Sequence, residues 1–103
     1  MSEFVQAALT AEIAPGKMKR VEIAGRRIMI CNVNGRFHAT DDTCTHEDAS
    51  LSMGNLKGDL VKCPLHGSRF NVCTGEVLDE PATENLRTYA VRINNGAISV
   101  EVT

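Results

Sequence analysis

Two short Cys/His pairs constrain this chain more than any other feature: Cys44-Thr45-His46 and Cys63-Pro64-Leu65-His66, separated by the 16 residues from Glu47 to Lys62. A thiolate and an imidazole two or three residues apart can face one ion or cluster from a single loop, at little entropic cost beyond ordering that loop. Two such pairs predict two loops meeting at one metal centre. Two cysteines with two histidines suit a tetrahedral zinc, or a two-iron cluster in which the cysteines hold one iron and the histidines the other. The usual Cys2His2 zinc arrangement groups like ligands together, whereas each loop here carries one of each, which disfavours a zinc finger. A thiol nucleophile with a histidine base would use one pair and leave the second unexplained. Four cysteines could also form two disulfides, but two of them stand in histidine patterns and nothing suggests export.

The flanks of the two pairs read as β-structure. Ala24-Gly25 and Asn34-Gly35 punctuate apolar, β-branched runs, and Asn-Gly is a strong two-residue hairpin signal because both residues tolerate positive φ. Strands are expected near Lys19 to Ile23, Arg27 to Val33 and Arg36 to Thr40. Leu86 to Ile93 alternates and turns at Asn95-Gly96 into Ala97 to Val102, a further hairpin. Between these blocks, Asp41 to Pro81 is dense in Gly, Asp, Ser, Cys and His. Within it Asn55 to Lys62 reads as a short hairpin turning at Gly58-Asp59, so the two ligand loops flank a pair of strands. Helix is scarce, at most a turn over Ala11 to Ala14 or Ala82 to Asn85. The fold class expected is all-β.

Length and charge narrow the function. The 103 residues make one domain with a single core, too small for a separate catalytic module. The composition, 43% hydrophobic and 23% charged, is that of a folded soluble protein. Eleven basic against thirteen acidic residues give a net charge of −2, so no field attracts nucleic acid or an anionic membrane. The longest apolar runs are too short to span a bilayer, and the first residues lack a signal-peptide pattern, so a cytoplasmic protein is expected.

Asp42-Thr43-Cys44-Thr45-His46 and Cys63-Pro64-Leu65-His66-Gly67-Ser68-Arg69-Phe70, followed by Cys73-Thr74-Gly75, resemble the two cluster-binding boxes of Rieske 2Fe-2S proteins, and of their small ferredoxins above all. The resemblance covers essentially the whole chain, read as a single Rieske domain over 1–103 with a cluster-binding subdomain at about 42–81. It implies antiparallel sheets with two cluster loops at one tip. It also implies one Rieske-type 2Fe-2S cluster, with Cys44 and Cys63 on the inner iron and His46 and His66 on the outer, solvent-facing one. Two ferric ions, two sulfides and two thiolates sum to zero charge, which makes such a site easier to reduce than a four-cysteine cluster. The respiratory members carry an extra cysteine in each box, and Ala49 and Leu65 stand in those places here, so no disulfide lies beneath the cluster. They also carry a tyrosine where this chain has Phe70, while Ser68 remains as a donor. Fewer donors around the sulfurs predict a potential in the lower part of the roughly −150 to +300 mV Rieske range.

The resemblance further implies a one-electron carrier of a bacterial aromatic-ring-hydroxylating dioxygenase system. Such a monomeric, non-catalytic component takes electrons from an NADH-dependent flavoprotein ferredoxin reductase and gives them to a terminal oxygenase. Three alternatives stay open at this point: the small Rieske subunit of assimilatory nitrite reductase, a zinc-stabilised interaction module, and a free-standing Rieske domain serving another monooxygenase. Outside the ligand set, Cys31 reads as a small buried side chain, Cys73 as packing near the turn after the second box, and His38 as a structural histidine. Pro81 resembles the proline that packs over the cluster. Glu47 and Asp48 read as part of an acidic docking surface.

Overall fold

The computed structural model describes residues 3–45 and 48–102. His46 and Glu47 therefore lie outside the described residues. Among the described residues ten strands run in chain order: β1 (Glu3–Leu9), β2 (Met18–Ile23), β3 (Arg26–Val33), β4 (Arg36–Asp41), β5 (Asn55–Lys57), β6 (Leu60–Lys62), β7 (Arg69–Asn71), β8 (Thr88–Tyr89), β9 (Val91–Asn94) and β10 (Ala97–Val102). The pairings of these strands are antiparallel and form sheets ordered β1-β10-β9, β2-β3-β4-β8 and β5-β6-β7. The only regular helices among the described residues are 3-10 turns at Thr10–Glu12 and Leu51–Met53. The first lies one residue ahead of the expected turn at Ala11 to Ala14, and Ala82 to Asn85 forms no helix.

The expected hairpins form where two-residue turns demanded them. Ala24 and Gly25, Asn34 and Gly35, and Asn95 and Gly96 all have positive φ, the geometry whose twist matches that of the flanking strands. β3 explains its unbroken apolar run by being buried on both faces. Ile28 and Ile30 join Ile23, Ile98 and Val100 in one core cluster, while Met29 and Cys31 join Leu51, Val61, Phe70 and Val72 in a second. Each fully buried Ile contributes about 1.5–3 kcal/mol relative to an exposed one. The central strand thus fastens the terminal sheet on one side and the β5-β6-β7 sheet on the other.

The expected single strand over Leu86 to Ile93 is divided. Thr88–Tyr89 pairs with β4, and after Ala90 the chain changes sheets so that Val91–Asn94 pairs with β10. Two strands were not foreseen. β1 pairs along β10 with a register shift between Gln6 and Ala8, and β7 lies inside the second Cys/His box, where Phe70 points into the core.

Candidate metal centre

Both ligand loops grow from strand ends and are closed by the same device. In the first, Thr43 bridges to Ser50 and the Cys44 N–H donates to the Ala49 carbonyl at 2.9 Å. In the second, between β6 and β7, the Cys63 N–H donates to the Ser68 carbonyl at 2.8 Å, and the Gly67 N–H reaches back to the Cys63 carbonyl at 3.1 Å. Each cysteine is thereby pinned by the far side of its own loop. Cys44 and Cys63 are only 4% and 3% exposed and sit in one packed cluster with Leu51, Val61, Phe70, Ala82 and Leu86. Ala49 packs against that cluster as well. His66 and Leu65 lie at the exposed apex of the second loop.

What brings the loops together is a close backbone approach. Gly54, just after the first loop, lies so near β6 that an added Cβ would sit 2.0 Å from the Lys62 carbonyl oxygen, one residue before Cys63. Only glycine fits there. Gly54→Ala should push the loops apart, lowering both the thermal midpoint and the iron retained per chain; an unchanged melting curve by circular dichroism would contradict this.

Asp42 anchors the first loop from below. Its carboxylate, 0% exposed, accepts from the Ser50 hydroxyl at 2.5 Å and the Ser52 N–H at 2.8 Å, with Arg20 Nε at 3.8 Å. Hydrogen bonds to a charged acceptor are worth about 1.5–3 kcal/mol, and the donors left behind add a desolvation cost. Asp42→Ala should therefore lose about 2–3 kcal/mol in urea unfolding, a loss that would be absent if the carboxylate were merely decorative. A third segment closes over both loops: Thr45 Oγ1 donates to the Glu84 carbonyl at 2.7 Å, and the Ala82 N–H donates to Ser68 Oγ at 3.1 Å. Arg69 meets Asp79 through Nε and Nη2 at 2.5 and 3.3 Å, and the arginine's hydrogen bond holds the Asp79 carboxyl below its ordinary range. The Glu80–Pro81 bond in this segment is cis.

The donor set fits the two-iron group. All four cysteines are among the described residues, and none is in a disulfide. Among the described residues no three His, Cys, Asp or Glu side chains gather around one point. A two-iron centre asks only the two cysteines to share one iron. Cys31 is fully buried, as expected, and burial pushes its thiol up to about 12, which leaves it an unreactive packing group. Cys73 lies in the turn after the second loop, its N–H on Asn71 Oδ1, but its side chain is exposed rather than packed. His38 is half-buried in β4 opposite Cys31. Asp48 is exposed beside Arg27 at 3.7 Å. No helix among the described residues is long and apolar enough to cross a membrane.

The Cys/His spacing marks the two candidate loops; the roles of Asp42, Gly54 and the 79–86 segment are long-range contacts that carry no local signal. Residues 3–90 match the family model for the Rieske [2Fe-2S] domain. The chain is 37% identical to the ferredoxin component of the naphthalene 1,2-dioxygenase system of Pseudomonas putida, over 97% of this chain and 96% of that protein. A solved complex of reduced oxygenase and oxidised ferredoxin in carbazole 1,9a-dioxygenase contains a chain that superposes with a TM-score of 0.90 at 39% identity, covering 94% of this chain and 91% of that one. A putative NADH-dependent nitrite reductase small subunit from Mycobacterium tuberculosis superposes at 0.88 with 22% identity, covering 100% and 97%. That last likeness shows the fold alone.

Proposed function

Because this chain belongs to the Rieske [2Fe-2S] domain family, we propose that Cys44, His46, Cys63 and His66 hold its one cluster, within a subdomain of about 42–81 in a single-domain, monomeric protein. The chain is an electron-carrying ferredoxin component of the aromatic dioxygenase kind rather than a catalytic enzyme. The observation that carries the ligand assignment is that Cys44 and Cys63 lie buried in one packed cluster on two neighbouring loops, with His66 exposed on the second. When bound, the cluster takes up and releases one electron at a time.

The protein's residues supply the rest. Burial of Cys44 and Cys63 keeps water from the sulfurs, and the loop carbonyls fix both backbones. His66 presents an imidazole edge to solvent, the route by which a docked partner comes within reach. Ser68 Oγ, 1% exposed, already accepts from the Ala82 N–H, which orients the oxygen and leaves its own proton to donate. Phe70 brings no hydroxyl, so we place the midpoint in the lower part of the roughly −150 to +300 mV range.

The donor is a flavoprotein ferredoxin reductase and the acceptor a terminal aromatic-ring oxygenase, each meeting the same exposed end in turn. Brief, small interfaces suit such a shuttle. The nitrite reductase reading rests on fold likeness only and is set aside. The test is an anaerobic titration with NADH and a trace of ferredoxin reductase. Uptake of one electron per chain supports the carrier role; no uptake by an iron-loaded sample rejects it.

A further inference from the structure

The two flanks of the cluster end differ in charge. Beside the first loop stand exposed Asp48 and Glu84, with Arg27 on Asp48. Beside the second loop is the solvent face of the β5-β6-β7 sheet. There Leu56, Val61 and Phe70 point inward, so Asn55, Lys62 and Arg69 form one outward cross-strand row, and Lys57 and Leu60 belong to the next. These five residues line a cleft of about 620 Å³. Leu60 and the lysine stems give it an apolar floor with charged rims.

Two details set this face apart from an ordinary solvated sheet. Lys62 lies directly opposite Arg69, and like charges facing across a ladder are unfavourable. Asp79 is bonded to Arg69 and acts on Lys62 only through space; Lys57 and Lys62 have no hydrogen bond or ion pair among the described residues. Asp59, at the far turn, is engaged by Asn71. Lys62 also leans over the second ligand loop, its Cε 3.2 Å from where a Cβ on Gly67 would stand, next to His66. A lysine with no directly bonded partner is therefore held over the residue that follows His66.

We propose that this face docks an acidic protein surface, that of an electron-exchange partner whose redox group comes to rest at His66 while its carboxylates meet Lys57 and Lys62. The inference rests on the electron-carrier reading and adds the partner's chemistry to it. Charge complementarity carries it. A net charge of −2 repels an acidic partner at long range, and a local reversal of sign beside the redox end steers and orients that partner. An apolar floor with a polar rim is the usual anatomy of such an interface.

The experiment is stopped-flow oxidation of the dithionite-reduced holoprotein by two protein probes. Plastocyanin is acidic and accepts one electron at Cu(II), giving Cu(I). Cytochrome c is basic and accepts one at ferric haem, giving ferrous haem. In each case the chain loses that one electron, and no bond or proton moves. The plastocyanin rate constant should fall as salt is raised. It should fall about tenfold at low salt in the Lys57→Gln, Lys62→Gln double variant, and Lys62→Arg should retain it. Cytochrome c should not be slowed by the double variant. Equal plastocyanin rates in both proteins, or a rate that rises with salt as the net charge alone dictates, would overturn the proposal. So would a wild-type dimer in sedimentation velocity that the double variant abolishes, since the occupant would then be a second copy. A colourless protein without a cluster defeats the carrier reading itself; a coloured one with unaltered rates defeats only the docking face.

Discussion

Cys63→Ser should purify without colour, its iron falling from two per chain to near zero. The physical reason is that a thiolate, not a neutral hydroxyl, neutralises ferric iron, and serine keeps its proton under conditions where a metal-bound cysteine gives its proton up. Nothing nearby can substitute. Cys31 is buried on β3 with its thiol pushed up to about 12, and Cys73 is exposed in the turn beyond β7. The matched control is Cys73→Ser, which should keep both irons. Iron analysis with the visible spectrum decides the matter, and a Cys63→Ser protein that retains two irons would remove Cys63 from the ligand set.

Phe70→Ala should be the most damaging change that touches no ligand. Phe70 is the largest side chain with no exposed surface, and it lies in the same packed cluster as Cys44 and Cys63. Truncating a buried Phe costs about 3–5 kcal/mol, part transfer and part residual cavity. Small domains hold only about 5–15 kcal/mol in all. The cavity would open directly beside the cysteines, so cluster loss should accompany unfolding at a much lower urea midpoint. Denaturation of the apo and holo forms separates the two effects: a shift confined to the holo form would mean that Phe70 acts on the cluster alone rather than on the core.

Much of this molecule could be read from local chemistry, and the failures share one cause. Hairpins at Asn34-Gly35 and Asn95-Gly96 were legible because positive φ is a local demand that these residues meet cheaply. The two loops that carry the proposed ligands were legible as loops because Gly, Asp and Ser break the chain around each Cys/His pair. β1 was not: Phe4 to Leu9 shows no clean alternation, its register slips between Gln6 and Ala8, and its partner β10 comes from the other end of the chain. The division of Leu86 to Ile93 likewise depends on two different sheets competing for one segment. At the site, Gly54 reads locally as a loop breaker, yet its role is to admit the Lys62 carbonyl. Asp42 reads as part of a motif, yet it is the buried acceptor that ties Ser50 and Ser52 beneath the first loop. His46 is expected as a ligand from the motif alone and lies outside the described residues.

The central claim, one 2Fe-2S cluster held by Cys44, His46, Cys63 and His66, is tested most directly by electron paramagnetic resonance of the dithionite-reduced protein. The account predicts a rhombic signal whose average g lies well below the free-electron value, the mark of imidazole replacing thiolate on one iron, and its loss in Cys63→Ser. An iron-loaded wild-type sample that shows no such signal would contradict it.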